Sequence, residues 1–114
     1  MPIFEQGDVV KVPFPYTDRP VRQFRPALVI STGGIEERHG LLWVAMITSA
    51  RNRGWAGDIR IENLARAGLP APSVVRGAKI ATIQAGDAMR LGAVSKRVRQ
   101  DVMAGIRCEL TGDK

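Results

Sequence analysis

The segment Arg25-Pro-Ala-Leu-Val-Ile-Ser31 constrains the fold more than any other. From Ala27 to Ile30 it is apolar on both alternating faces, the pattern of a short strand covered on both sides. Pro26 drives Arg25 into an extended conformation. Proline is tolerated at the first residue of a strand, so a strand is expected over 26–31. A cation therefore stands at the mouth of the best core strand in the chain.

The flanking sequence supplies partners for that strand. Val10, Val12 and Phe14 share one face of a strand that Pro13 and Pro15 end. Leu41 to Ser49 reads as a third strand, and Asp58 to Glu62 as a short one. Ser73–Arg76 and Ala78–Ile83 read as strand segments around Gly77, a bulge position. Residues 32–40 read as a polar, glycine-rich connection in which His39 is a solvent-facing turn residue. Asn63 caps a brief helical turn over 64–67 that Gly68 ends. Ser95 is the N-cap of a final helix, 96–110, with Val98, Val102, Ile106 and Leu110 as one apolar stripe. Short strands with one terminal helix define a mainly β class: a small, curved antiparallel sheet or barrel with the helix packed on it. Residues 1–114 are expected to form a single domain.

Register follows from spacing. If strands 26–31 and 41–49 pair antiparallel and Ser31 faces Leu42, Arg25 faces Thr48. A guanidinium and a hydroxyl then meet at one sheet edge, since directly opposed residues have Cβ atoms roughly 4.5–5.5 Å apart.

Charge points outward. The net charge is +6, from 17 basic and 11 acidic residues, which suits a polyanionic or acidic partner. Two loops concentrate it: residues 15–24, with Arg19, Arg22, Tyr16 and Phe24, and residues 50–57, with Arg51, Arg53 and Trp55. Cations interleaved with aromatics can hold phosphates and stack bases. A single cysteine, Cys108, and a single histidine, His39, exclude a disulfide and a Cys- or His-rich metal site within one chain. No stretch reaches about 18 apolar residues, so no membrane span is expected. Without a signal-peptide layout at the N-terminus, the expected location is the cytoplasm.

Several segments together resemble the MazF/PemK toxins of type II toxin–antitoxin systems. They are Gly7-Asp8-Val-Val-x-Val, then Arg25-Pro-Ala-Leu-Val-Ile-Ser31, and Ile47-Thr48-Ser49. Gly68-Leu-Pro-x-Pro-Ser-Val-Val75, Ile80-Ala-Thr-Ile83 and Leu91-Gly-Ala-Val-Ser95 continue the match in order. The resemblance implies an SH3-like barrel, a homodimer, and a sequence-specific endoribonuclease of single-stranded mRNA that arrests growth. It implies no metal or other cofactor, and an antitoxin whose acidic tail folds across the RNA groove. It puts the catalytic pair on Arg25 and Thr48. The basic residues of the two loops, with Trp55 and Arg76, are then expected to bind RNA. Some members follow the equivalent of Arg76 with an aspartate two residues on; here that position is Ala78.

The residues suit metal-free cleavage, in which the substrate's 2′-OH attacks phosphorus. An arginine fork can hold two phosphate oxygens, but its permanent charge makes it a poor base. Arg25 is therefore expected to stabilise charge, and Thr48 to position the phosphate or relay a proton. Read alone, Arg25 fits a surface ion pair with Asp8 or Glu62, and Thr48 an ordinary strand threonine. Ala78 motivates an alternative, a catalytically weak or inactive homologue that binds RNA or antitoxin. A gyrase-directed toxin is a third reading, resting on fold analogy alone.

Overall fold

The computed structural model describes residues 2–14 and 23–112. Six antiparallel strands form one sheet: β1 (Asp8–Phe14), β2 (Gln23–Val29), β3 (Leu41–Ser49), β4 (Ile59–Arg60), β5 (Ser73–Gln84) and β6 (Met89–Ala93). Their order across the sheet is β4-β5-β3-β2-β1-β6. The sheet curls into a half-barrel, and α3 (Lys96–Thr111) closes the chain. The mainly β architecture with a C-terminal helix is the one expected.

The central strands are buried on both faces, as the apolar run predicts. One face joins Val9, Leu28, Ala45, Ile47 and Val75 to Val98, Val102 and Ile106 of α3. The other joins Val10, Val12, Ala27, Val29, Val44 and Met46, with Phe4 from the N-terminal segment. Ser95 caps α3 by accepting the Val98 N–H at 3.2 Å. Its stripe is shorter than expected, since Leu110 is 81% exposed.

Four features depart from the sequence reading or refine it. Residues 33–39 form a helix, α1 (Gly33–His39), where a loop is expected. Two glycines lower its helix propensity, and a tertiary contact offsets them. The buried Glu36 carboxylate accepts the Ile3 N–H at 2.9 Å and the Phe4 N–H at 3.0 Å. Strand β5 runs unbroken, with its register shift opposite Ala45 and Met46, around the expected bulge at Gly77. The helical turn α2 (Leu64–Ala67) forms as expected, with Asn63 accepting the Arg66 N–H at 3.0 Å.

The fourth concerns Pro26, which is not the first residue of its strand. It is the fourth residue of β2 and pairs with Lys11 of β1. The Ile30 N–H donates to the Trp43 carbonyl of β3 at 2.9 Å, so even-numbered positions of β2 aim their N–H at β3. Pro26 has no N–H to offer there. The β2–β3 ladder accordingly runs from Val29–Val44 to Ala27–Met46, while the β1–β2 ladder continues to Phe14–Gln23. Beyond Ala27 the β2–β3 ladder ends, and this unpaired end is the fork.

Candidate functional site

The fork places the first candidate residues. The observed β2–β3 register is the expected one; the ladder ends at Ala27–Met46, and the same register carried two residues further would align Arg25 with Thr48. Arg25 shares its face with Ala27, and Thr48 with Met46, so both project from the face without α3. On β5, Val74 faces Thr48 and Arg76 faces Met46. On β4, Arg60 faces Val74. Two adjacent rows cross the sheet: Thr48, Val74 and Arg60 in one, Ala27, Met46 and Arg76 in the next. Arg60 was not among the expected site residues. The alternation Ile59-Arg60-Ile61, with Ile61 in the core, is the signal that could have found it.

Arg25 is half-buried and makes no ion pair among the described residues. The surface pair with Asp8 does not form. Asp8 is buried, accepts the Glu5 N–H at 2.9 Å and faces the Arg90 Nε at 3.4 Å. Thr48 is 4% exposed, and its hydroxyl oxygen accepts from the Asn52 Nδ2 at 2.6 Å. An accepting bond orients that oxygen and leaves its own proton free to be donated. Asn52 sits in the turn after β3, where its N–H donates to the Ser49 carbonyl at 3.0 Å. Sequence reading missed it, because a lone asparagine in a loop gives no signal beyond turn preference.

A second cluster lies one strand over. Arg76 is buried, and its Nε and Nη2 donate to Asp58 Oδ1 and Oδ2 at 3.1 and 2.9 Å. Nη2 also donates to the Arg53 carbonyl at 2.9 Å. The guanidinium carbon lies 4.3 Å from the centre of the Trp55 ring, a cation–π stack. Asp58 Oδ2 accepts the Trp55 N–H at 2.9 Å, while the Asp58 N–H donates to the Trp55 carbonyl at 3.1 Å. The Arg76 guanidinium, and after it the Trp55 N–H, holds the Asp58 carboxyl below the usual carboxylate range, against the opposing effect of burial.

Asp58 thus meets Arg76 from the loop, although position 78 carries alanine. Ala78 instead lines a groove of about 510 Å³ between β5 and the C-terminal half of α3, with Ile59, Ile80, Ile106 and Leu110. Cys108 lines it as well.

Arg51 and Arg53 are exposed on the loop that carries Trp55. Arg19 and Arg22 lie outside the described residues. His39 ends α1, just before the first residue of β3, whereas Thr48 stands near that strand's last. At ~3.4 Å per residue, Leu41 and Thr48 are roughly 24 Å apart along the strand, and His39 lies before Leu41, so it does not join the site. Among the described residues no three His, Cys, Asp or Glu side chains group closely enough to hold a metal ion. No helix there is long and apolar enough to cross a membrane.

The fold is a small, basic half-barrel with Arg25 and Thr48 on its face without α3. The chain belongs to the PemK-like, MazF-like toxins of type II toxin–antitoxin systems, whose family profile matches residues 5–110. Solved structures share its fold. MazF from Deinococcus radiodurans superposes with a TM-score of 0.75 at 22% identity, covering 96% of each chain. The Mycobacterium tuberculosis toxin MazF-mt6 gives 0.70 at 23%, covering 92% of this chain and 98% of that one. A mycobacterial endoribonuclease in complex with its cognate antitoxin gives 0.70 at 14%, covering 96% and 95%. Comparison with curated proteins yields no match.

Proposed function

We propose that this chain is a sequence-specific, metal-independent endoribonuclease that cuts single-stranded mRNA in the cytoplasm and is neutralised by an antitoxin with an acidic tail. The observation that supports this reading is the observed β2–β3 register, which, carried two residues past its last pair at Ala27–Met46, would align Arg25 with Thr48. Membership of the toxin family and the fold shared with an endoribonuclease–antitoxin complex support it.

The 2′-OH of the substrate attacks the adjacent phosphorus, the P–O5′ bond breaks, and the products are a 2′,3′-cyclic phosphate and a 5′-hydroxyl. Arg25 holds two non-bridging oxygens and stabilises the added negative charge of the phosphorane. Thr48, its oxygen oriented by Asn52, donates a hydrogen bond to the phosphate and keeps its proton. The proton lost by the 2′-OH passes to water or a substrate oxygen, and the leaving 5′-oxygen takes one from water. Arg51, Arg53 and Arg60 add positive charge along the path of the strand, and Arg19 and Arg22 extend it from the first long loop. Trp55 offers a stacking surface, with Arg76 beneath it. Two copies act together. The apolar groove beside α3, flanked by exposed Ile80 and Leu110, is the surface that favours a homodimer.

The test is cleavage of a long single-stranded RNA in EDTA. Discrete cuts are expected, and Arg25→Ala is expected to lower the rate by about 10²- to 10³-fold. Absence of cuts by the native protein, or an Arg25→Ala variant that cuts equally well, would overturn the reading.

A further inference from the structure

The Asp58–Arg76 pair does more than bury two charges. Arg76 sits in the sheet, on the strand that faces Met46. Asp58 sits in the loop between β3 and β4. Their side chains are only 8% and 11% exposed, for Arg76 and Asp58 respectively, so the bidentate pair is shielded from water and held in one geometry. Three further bonds converge on the loop: Arg76 Nη2 to the Arg53 carbonyl, and the reciprocal pair between Trp55 and Asp58. All of them run through the two charged partners. The result is a tryptophan whose ring rests on a fixed guanidinium, yet which stays 44% exposed.

Held in this way, Arg76 is poorly available as a phosphate ligand. Its charge is offset by Asp58, and two of its three nitrogens are committed. Exposed Arg51 and Arg53, one on each side of Asn52 in sequence, supply cations for the backbone. The arrangement matches what a stacking site needs: an aromatic plane with its orientation set in advance, beside positive charge for the phosphates. Preorganisation lowers the ordering cost that a mobile loop tryptophan would incur on binding.

We infer that Asp58 is a positioning residue for RNA: it locks Arg76 under the Trp55 indole, and so presents Trp55 as a preformed stacking site for one unpaired base. The inference rests on the ribonuclease reading for the identity of the ligand. It assigns roles that residue type alone would reverse, making the buried arginine a support and the exposed tryptophan the contact. Loss of Asp58 would free Arg76 from its place under the Trp55 ring.

The experiment uses the full chain and a randomised single-stranded RNA 12-mer carrying 2′-O-methyl groups, which blocks cleavage. In a Trp43→Phe background Trp55 is the only tryptophan, and its emission reports both its surroundings and binding. The oligonucleotide is expected to quench that emission. Trp55→Ala, followed by anisotropy of a labelled oligonucleotide, is expected to weaken binding by roughly 5- to 150-fold, and Trp55→Phe much less. Asp58→Asn is expected to shift the emission of the free protein and to weaken binding several-fold. In the Trp55→Ala background it is expected to cost nothing more, because both changes remove one interaction. Independent, additive losses, or Asp58→Asn binding as well as the native chain, would overturn the inference. Should Asp58→Asn fail to fold, equal binding by native protein and Trp55→Ala would overturn it alone. Binding with this coupling but no cutting of unmodified RNA would sink the ribonuclease reading and leave the stacking site standing. No binding by the native protein would overturn both.

Discussion

At the scale of single residues, two carboxylates outside the expected site organise the molecule. Glu36 ties the N-terminal segment to α1 through the Ile3 and Phe4 amides. Asp58 ties the β3–β4 loop to β5 through Arg76. The second has a pH signature. Its hydrogen bonds with Arg76 lower the folded-state pKa of Asp58 below the ordinary value. The folded state therefore binds fewer protons at this site than the unfolded chain over the interval between the two values. The stabilisation is complete above the ordinary carboxylate range and is lost as pH falls through the lower folded value. Denaturant titrations from neutral pH into the acid range are expected to show stability falling, with a shallower fall in Asp58→Asn. Equal slopes would contradict the assignment. At neutral pH, Asp58→Ala is expected to cost about 3–5 kcal/mol, since it leaves a buried guanidinium without its partner. A carboxylate held so firmly ionised is also a weak base, which fits a positioning role better than proton abstraction.

At the scale of elements, close approaches and one missing donor decide the geometry. The α2 turn presses on β6 so tightly that a Cβ at Gly92 would fall 2.2 Å from the Arg66 carbonyl oxygen and 2.6 Å from the Ala67 carbonyl carbon. These are backbone atoms, so relief requires α2 to shift. Gly92→Ala is expected to destabilise by at least about 1–3 kcal/mol, read from the denaturant midpoint. Gly86, where an added Cβ meets nothing within 4 Å, is the control and should move the midpoint little. Pro26 works in the other direction, by withholding a hydrogen bond. Pro26→Ala restores an N–H aimed at β3. That amide is expected to become protected from hydrogen exchange as the fork closes, and RNA cleavage to fall. Rapid exchange at position 26 would show that something else keeps the strands apart.

At the scale of the whole molecule, Arg25, Thr48 and Arg60 project from the sheet face without α3, while Ala56 and Gly57 of the Trp55 loop reach the groove beside α3. Ile80 and Leu110, 48% and 81% exposed, flank the groove on the α3 side. Ile80→Asp is expected to yield monomers in sedimentation equilibrium, with the secondary structure of the subunit unchanged. A native chain that is monomeric at high concentration would remove the homodimer from the proposal.

The sequence by itself determined what depends on local pattern. Apolar runs located five of the six strands, or parts of them, and β6 was not among them. The Ser95 cap and the Val98, Val102 and Ile106 stripe located α3. The spacing of Arg25 and Thr48 predicted a register that Ala27–Met46 and Val29–Val44 now display, because alternation leaves a strand few ways to bury its apolar side. What only the tertiary structure decided depends on contacts between residues distant in the chain. Helix α1 stands on a carboxylate that reaches the N-terminal amides, and propensity alone argues against it. Pro26 belongs inside β2, because only one of its two neighbouring strands needed its N–H. Asp58 meets Arg76 across eighteen positions of sequence, a pairing that no periodicity encodes. Local preference writes a strand or a cap into neighbouring residues. The partner of a buried charge is settled only when folding excludes water and leaves that charge one place to go.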